Sequence, residues 1–183
     1  YLVTWPDTGW AGKVIYQVQL YNSRSLVDLS SANESIKELY SEKWLRDLQT
    51  TRKLRTYRHF KERFEKEQFL SMNISKYKRS LLCQFRYGIL PLRIETGRFI
   101  GEPPEGRLCN QCNEGIVEDE MHFLLSCKAY TTIRNTIFGG ITEFDDNNNT
   151  SIQKLNFLLN SYPRRTANFI KKAFEHRRRL IYH

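Results

Sequence analysis

Cys109, Cys112, His122 and Cys127 read Cys-x2-Cys-x9-His-x4-Cys within the segment RLCNQCNEGIVEDEMHFLLSCKAY. Three thiols and one imidazole at this spacing match the Cys₃His set of a closed tetrahedral zinc site. Zn²⁺ accepts this soft, mixed sulfur and nitrogen set without a geometric demand of its own. Four protein ligands leave no position for a reactive water, so the expected role is structural rather than catalytic. No residue is assigned as catalytic. Cys109–Cys112 could instead be a redox pair, but the strand-then-helix context of that chemistry is missing around it. A zinc hydrolase would need an open coordination position and a carboxylate such as Glu118 or Glu120. Cys83, the fourth cysteine of the chain, is expected to be a partly buried core thiol.

The second chemical signal is charge. Twenty-nine Lys and Arg face 20 Asp and Glu, a net charge of +9 over 183 residues. That balance favours a polyanionic partner such as RNA or DNA, or else an anionic membrane surface. Arg52, Arg55, Arg58, Lys61, Lys76, Arg79 and Arg86 form one candidate set of phosphate contacts, and Arg164, Arg165, Lys171 and Lys172 a second. Tyr57, Tyr77 and Tyr87 lie between the first set and could stack on unpaired bases, although aromatics at helical spacing are more often core. Arg177–Arg179 is a short basic run with weak value as a nuclear-targeting signal. No apolar run is long enough for a membrane span, so no membrane partner is expected. Three cysteines at metal-ligand spacing in a Lys-rich chain suit a reducing compartment, nuclear and cytoplasmic.

The elements that must position these groups read as mainly α: a small helical bundle around a Cys₃His zinc knuckle, with one short strand-like segment near the start. Val14–Tyr21 alternates like a strand, and residues 1–30 are expected to be an arm or linker from a preceding domain. Residues 31–138 are expected to form the helical zinc-knuckle domain. A first helix carries Ile36, Leu39, Tyr40, Trp44 and Leu48, with Ser31 or Asn33 as N-cap. A second carries Leu54, Tyr57, Phe60 and Phe64, and would align Arg52, Arg55, His59, Glu62 and Lys66 in one stripe. A third carries Ile74, Tyr77, Leu81, Leu82 and Phe85 and ends near Gly88 and Pro91. Arg98–Arg107 is a Gly/Pro loop leading to the first cysteine pair. Glu118, Asp119 and Glu120 suit the first turn of a helix that carries His122 and continues toward Ile137. His122 and Cys127, five apart, differ by about 140° on an unbroken α-helix, so a break near one of them, or a long reach by the imidazole, is required. Residues 139–151 form a polar connector after Gly139-Gly140. Residues 152–183 are expected to be a basic helical tail, with Pro163 at the first position of its last helix.

The stretch KYKRSLLCQFRYGILPLRIETGRFIGEPPEGRLCNQCNEGIVEDEMHFLLSCKAY resembles the C-terminal zinc-knuckle region of reverse transcriptases from non-LTR retrotransposons. The shared pattern is a basic helix, Phe85-Arg86-Tyr87-Gly88, Leu92-Arg93-Ile94-Glu95-Thr96-Gly97-Arg98, Cys109, Cys112, the acidic Glu118–Glu120, His122 and Cys127. The likeness extends over about residues 75–135. It implies zinc ligation by the three cysteines and the histidine, and nucleic-acid backbone contact by the basic helices. It further implies that this region holds template RNA or target DNA during target-primed reverse transcription, next to the polymerase domain of the same polypeptide. The paired aspartates of a polymerase do not occur in this chain, so the segment itself is not expected to be the enzyme. The alternative is a zinc-stabilised protein-interaction or scaffold module.

Overall fold

The structure is a computed structural model that describes residues 29–61 and 63–181. The strand-like Val14–Tyr21 lies outside the described residues. Among the described residues the protein is mainly helical, with one isolated antiparallel bridge, Leu108 to Val117, in place of a sheet. Two units are described separately, divided between Thr50 and Thr51.

In the first unit, helix α1 runs Leu29–Thr50. Ser31 and Asn33 therefore lie within the helix and do not cap it. Lys43 and Asp47, one turn apart, pair at 2.8 Å on its surface.

The second unit is built on α2 (Lys76–Arg86), α3 (Arg93–Thr96), α4 (Thr131–Phe138), α5 (Thr142–Asp145), α6 (Ser151–Asn160) and α7 (Pro163–Ile181). Helices α2 and α7 pack on one another, and α4 and α6 pack on α7. α7 supplies a wide apolar stripe: Pro163, Thr166, Ala167, Ile170 and Ala173 are buried, at the i, i+3, i+4, i+7 spacing of one helical face. Leu82 and Phe85 of α2 and Leu155, Leu158 and Leu159 of α6 are buried too. The expected appended tail is thus corrected. Residues 152–181 belong to the same compact unit as the knuckle, because their apolar face is part of its core. α6 starts on a full capping box between Thr150 and Gln153.

The second expected helix does not form. Residues 52–59 make two separate 3₁₀ turns, Arg52–Leu54 and Tyr57–His59, so the expected stripe through Arg52, Arg55, His59 and Lys66 does not exist. Long-range anchors outweigh the modest helical preference of this Thr-containing segment. Arg55 and Thr56 commit their side chains to Glu120. The Arg58 guanidinium takes the carbonyls of Thr51 and Leu54. The segment after His122 is also corrected. The helix breaks at Cys127, whose ψ of 120° is extended, before α4 begins. Gly139 then ends α4, where a Cβ would lie 2.4 Å from the Asn135 carbonyl.

Candidate metal centre

The knuckle is a tight hairpin. Cys109 N–H donates to the Ile116 carbonyl at 2.8 Å, and Glu118 N–H to the Arg107 carbonyl at 3.0 Å. The chain reverses through Asn113 (φ 55°) and Gly115 (φ 67°), left-handed positions that Asn and Gly adopt at least cost. The Gln111 amide points at the Cys109 sulfur, 3.4 Å away.

The other two ligands come from an unusual turn. Asp119 caps it, its carboxylate accepting the His122 N–H at 2.7 Å. Residues His122–Ser126 are then wound as a single π-turn, closed by Cys127 N–H donating to the His122 carbonyl at 2.7 Å. A π-turn joins residues five apart, so it brings His122 and Cys127 into line where an α-helix would splay them. This is the break that the five-residue spacing demands. The neighbouring side chains point inward: Phe123 and Leu124 are fully buried, and Phe123 packs within 5.6 Å of Phe169, Phe174 and Tyr130. The aromatic core thereby fixes the rotation of the turn that presents the imidazole.

The four ligand atoms lie within 4.8 Å of one another and can hold a metal ion. The Cys109 and Cys127 sulfurs are 3.8 Å apart, and the Cys112 sulfur is 3.4 Å from His122 Nε2. His122 Nδ1 faces the Ser126 hydroxyl at 3.2 Å, which leaves Nε2 as the ligating nitrogen. Burial pushes the Cys109 thiol up to about 12 and raises that of Cys127. Burial lowers the His122 imidazole, holding it in the neutral form that ligation requires. The thiols give up their protons only to a cation that takes their place.

The surrounding carboxylates are already engaged. Glu118, 2% exposed, accepts the Arg93 amide and the Arg177 guanidinium, and its Oε1 lies 3.6 Å from the Cys109 sulfur. Glu120 is fully buried, taking Arg55 Nη2 at 2.5 Å and the Thr56 hydroxyl at 2.8 Å. Both carboxylates staple distant segments to the knuckle. Sequence reasoning missed three groups here: Arg134, Ser126 and the Arg177–Tyr130 contact at 2.5 Å. Only proximity in the folded chain reveals them. Arg177 points inward, among Phe123, Tyr130 and Phe174, and cannot serve an exposed targeting run.

The expected phosphate contacts divide sharply. Arg86 is 2% exposed, paired with Glu67 at 2.6 Å and sandwiched by Phe60 and Phe69, so it belongs to the core. Lys61 pairs with Glu67 at 3.3 Å, and Arg79 donates to the carbonyls of Met72 and Ile74. Arg55 and Arg58 are committed as described. Of this set, Arg52 and Lys76 remain exposed and, among the described residues, form no ion pair. In the second set, Arg164, Arg165 and Lys172 are exposed, with Arg165 lying over the Tyr162 ring, and Lys171 is half-exposed beside Glu175 at 3.6 Å. Tyr57 is buried, while Tyr77 and Tyr87 are exposed. Cys83 is half-buried on α2, as expected.

The chain matches no protein-family model, no curated protein and no solved structure.

Proposed function

We propose that this chain is a zinc-stabilised nucleic-acid-binding module, the C-terminal part of a retroelement reverse transcriptase that holds template RNA or target DNA. The observation that carries the binding reading is the outer face of α7. Its inner face is buried in the core, while Arg164, Arg165, Lys171, Lys172 and Arg178 line the solvent side with Glu175 as the opposing acid. Arg164 to Arg178 spans about 21 Å of helix at 1.5 Å per residue, enough to follow several phosphates. The working surface is therefore α7, and not the set Arg55, Arg58, Lys61, Arg79 and Arg86, whose side chains are committed within the fold.

Zinc is the ion that the ligand types favour, three sulfurs and one imidazole nitrogen. A tetrahedron with Zn–S of about 2.3 Å and Zn–N of about 2.0–2.1 Å has S···S edges near 3.8 Å and S···N edges near 3.6 Å. Two of the six separations, Cys109 to Cys127 and Cys112 to His122, are 3.8 and 3.4 Å, and all four atoms lie within 4.8 Å of one another. With all four positions filled, the zinc braces the hairpin against the π-turn and performs no chemistry on a substrate. The retroelement assignment rests on the motif resemblance across residues 75–135. The reading frame upstream of Tyr1 tests it: a polymerase there supports the assignment, and an unrelated domain removes it.

Binding is tested by titrating single-stranded RNA and DNA across a salt series. The zinc-loaded chain is expected to bind at low salt. Arg164→Glu with Lys172→Glu is expected to weaken binding and flatten the salt slope by roughly 1.4 for two lost single-strand contacts. Absence of binding at low salt overturns the reading. A protein-interaction role is favoured by a different observation, the 74% exposed Phe99 and 70% exposed Ile100 on the loop before the knuckle. Phe99→Ser is expected to abolish partner association under that reading and to leave nucleic-acid binding unchanged.

A further inference from the structure

Arg134 is 5% exposed and has no carboxylate partner among the described residues. Its guanidinium donates only to backbone: the Leu124 carbonyl at 2.9 Å, the Cys127 carbonyl at 3.0 Å and the Phe123 carbonyl at 3.5 Å. Its remaining face lies 5.8 Å from the centre of the Phe169 ring. Burying a full positive charge costs several kcal/mol unless an anion compensates it, and carbonyls alone would be served equally well by a neutral donor. The other large buried cation, Arg86, has Glu67. Arg134 therefore requires a negative charge that the side-chain carboxylates do not provide.

The ligand set provides one. A dication held by three thiolates and a neutral imidazole carries one net negative charge. Of the carboxylates beside it, Glu118 is neutralised by Arg177 and Glu114 by Lys128 at 2.8 Å, while Asp119 caps the π-turn through the His122 amide and lies outside ion-pair reach of Arg134. The centre's own charge sits on the turn whose carbonyls Arg134 grips.

We propose that Arg134 is the counter-charge of the metal–thiolate centre, a positioning residue that stabilises the loaded site by its charge. The inference rests on reading the Cys₃His cluster as a metal centre. It separates two roles that substitution can tell apart. Lysine keeps the charge and loses the planar fork to three carbonyls. Glutamine keeps hydrogen-bond donors and loses the charge.

The test measures zinc affinity of the full chain by competition with a chromophoric chelator, for the parent, Arg134→Lys and Arg134→Gln. The expected result is a 10- to 100-fold weakening for Arg134→Gln, the range typical of lost outer-shell partners, with Arg134→Lys close to the parent. Equal weakening in the two variants, or none in either, overturns the proposal, since a capping role alone makes no distinction by charge. If Arg134→Gln does not fold, Arg134→Lys decides: parent affinity supports the counter-charge and a tenfold loss overturns it. A parent chain that binds no zinc fails the metal reading itself, before any variant is compared.

Discussion

Substituting Arg86 by alanine separates a core role from a surface role more cleanly than any other change in this chain. Arg86 holds Glu67 at 2.6 Å and the Leu159 carbonyl at 3.2 Å, and lies 4.3 and 5.0 Å from the centres of the Phe60 and Phe69 rings. Losing the cation leaves the Leu159 carbonyl without its side-chain donor, a cost of about 1–3 kcal/mol. Each ring face contributes a further 0.5–1 kcal/mol or so. Glu67 retains Lys61 at 3.3 Å and the Tyr57 hydroxyl at 3.1 Å, so the buried-pair penalty falls toward the low end of the usual ~3–5 kcal/mol. These effects overlap, and the expected loss is about 4 kcal/mol, a drop in melting temperature of roughly 14 °C for a unit of this size. Urea unfolding and thermal circular dichroism of the zinc-loaded chain measure it. RNA titration of the folded variant, well below its melting point, is expected to give the parent affinity. A loss below about 1 kcal/mol together with tenfold weaker RNA binding would refute the core assignment.

Three further outcomes are expected. In the zinc-loaded protein, alkylation at pH 8 should modify Cys83 slowly, because burial raises its thiol and leaves less thiolate, with the rate climbing only above the ordinary thiol range. Chelation should then expose Cys109, Cys112 and Cys127 and lower the helical signal, as metal binding and folding are linked; mass spectrometry and circular dichroism read the two effects. Thr150→Ala removes one half of the α6 capping box and should cost about 1 kcal/mol in urea unfolding, with zinc affinity unchanged.

The ligand set was legible in the chain because metal coordination imposes residue types and spacings that few other roles share. The same holds for Pro163 at the start of α7, for Gly139-Gly140 after α4 and for α2, where capping chemistry and 3.6-residue periodicity act locally. Even the conflict between His122 and Cys127 could be read in advance, since five residues do not fit an α-turn; that its resolution is a π-turn depends on Phe123 being anchored in the aromatic core. Residues 52–64 were misread as a helix for the opposite reason. Their periodicity is real, but Arg55, Thr56 and Arg58 gain more from Glu120 and from backbone carbonyls than from a continuous helix. Charge was the least legible property. A basic residue has the same letter whether it neutralises a buried carboxylate or faces water, and the distinction depends on partners far along the chain: Glu67 is 19 residues from Arg86, Glu120 is 65 from Arg55 and Glu118 is 59 from Arg177. Sequence by itself determined the candidate metal cluster, the helical class and the excess of cations. Tertiary packing decided which cations remain for a partner, because burial, and not composition, sets the cost of leaving a charge unpaired.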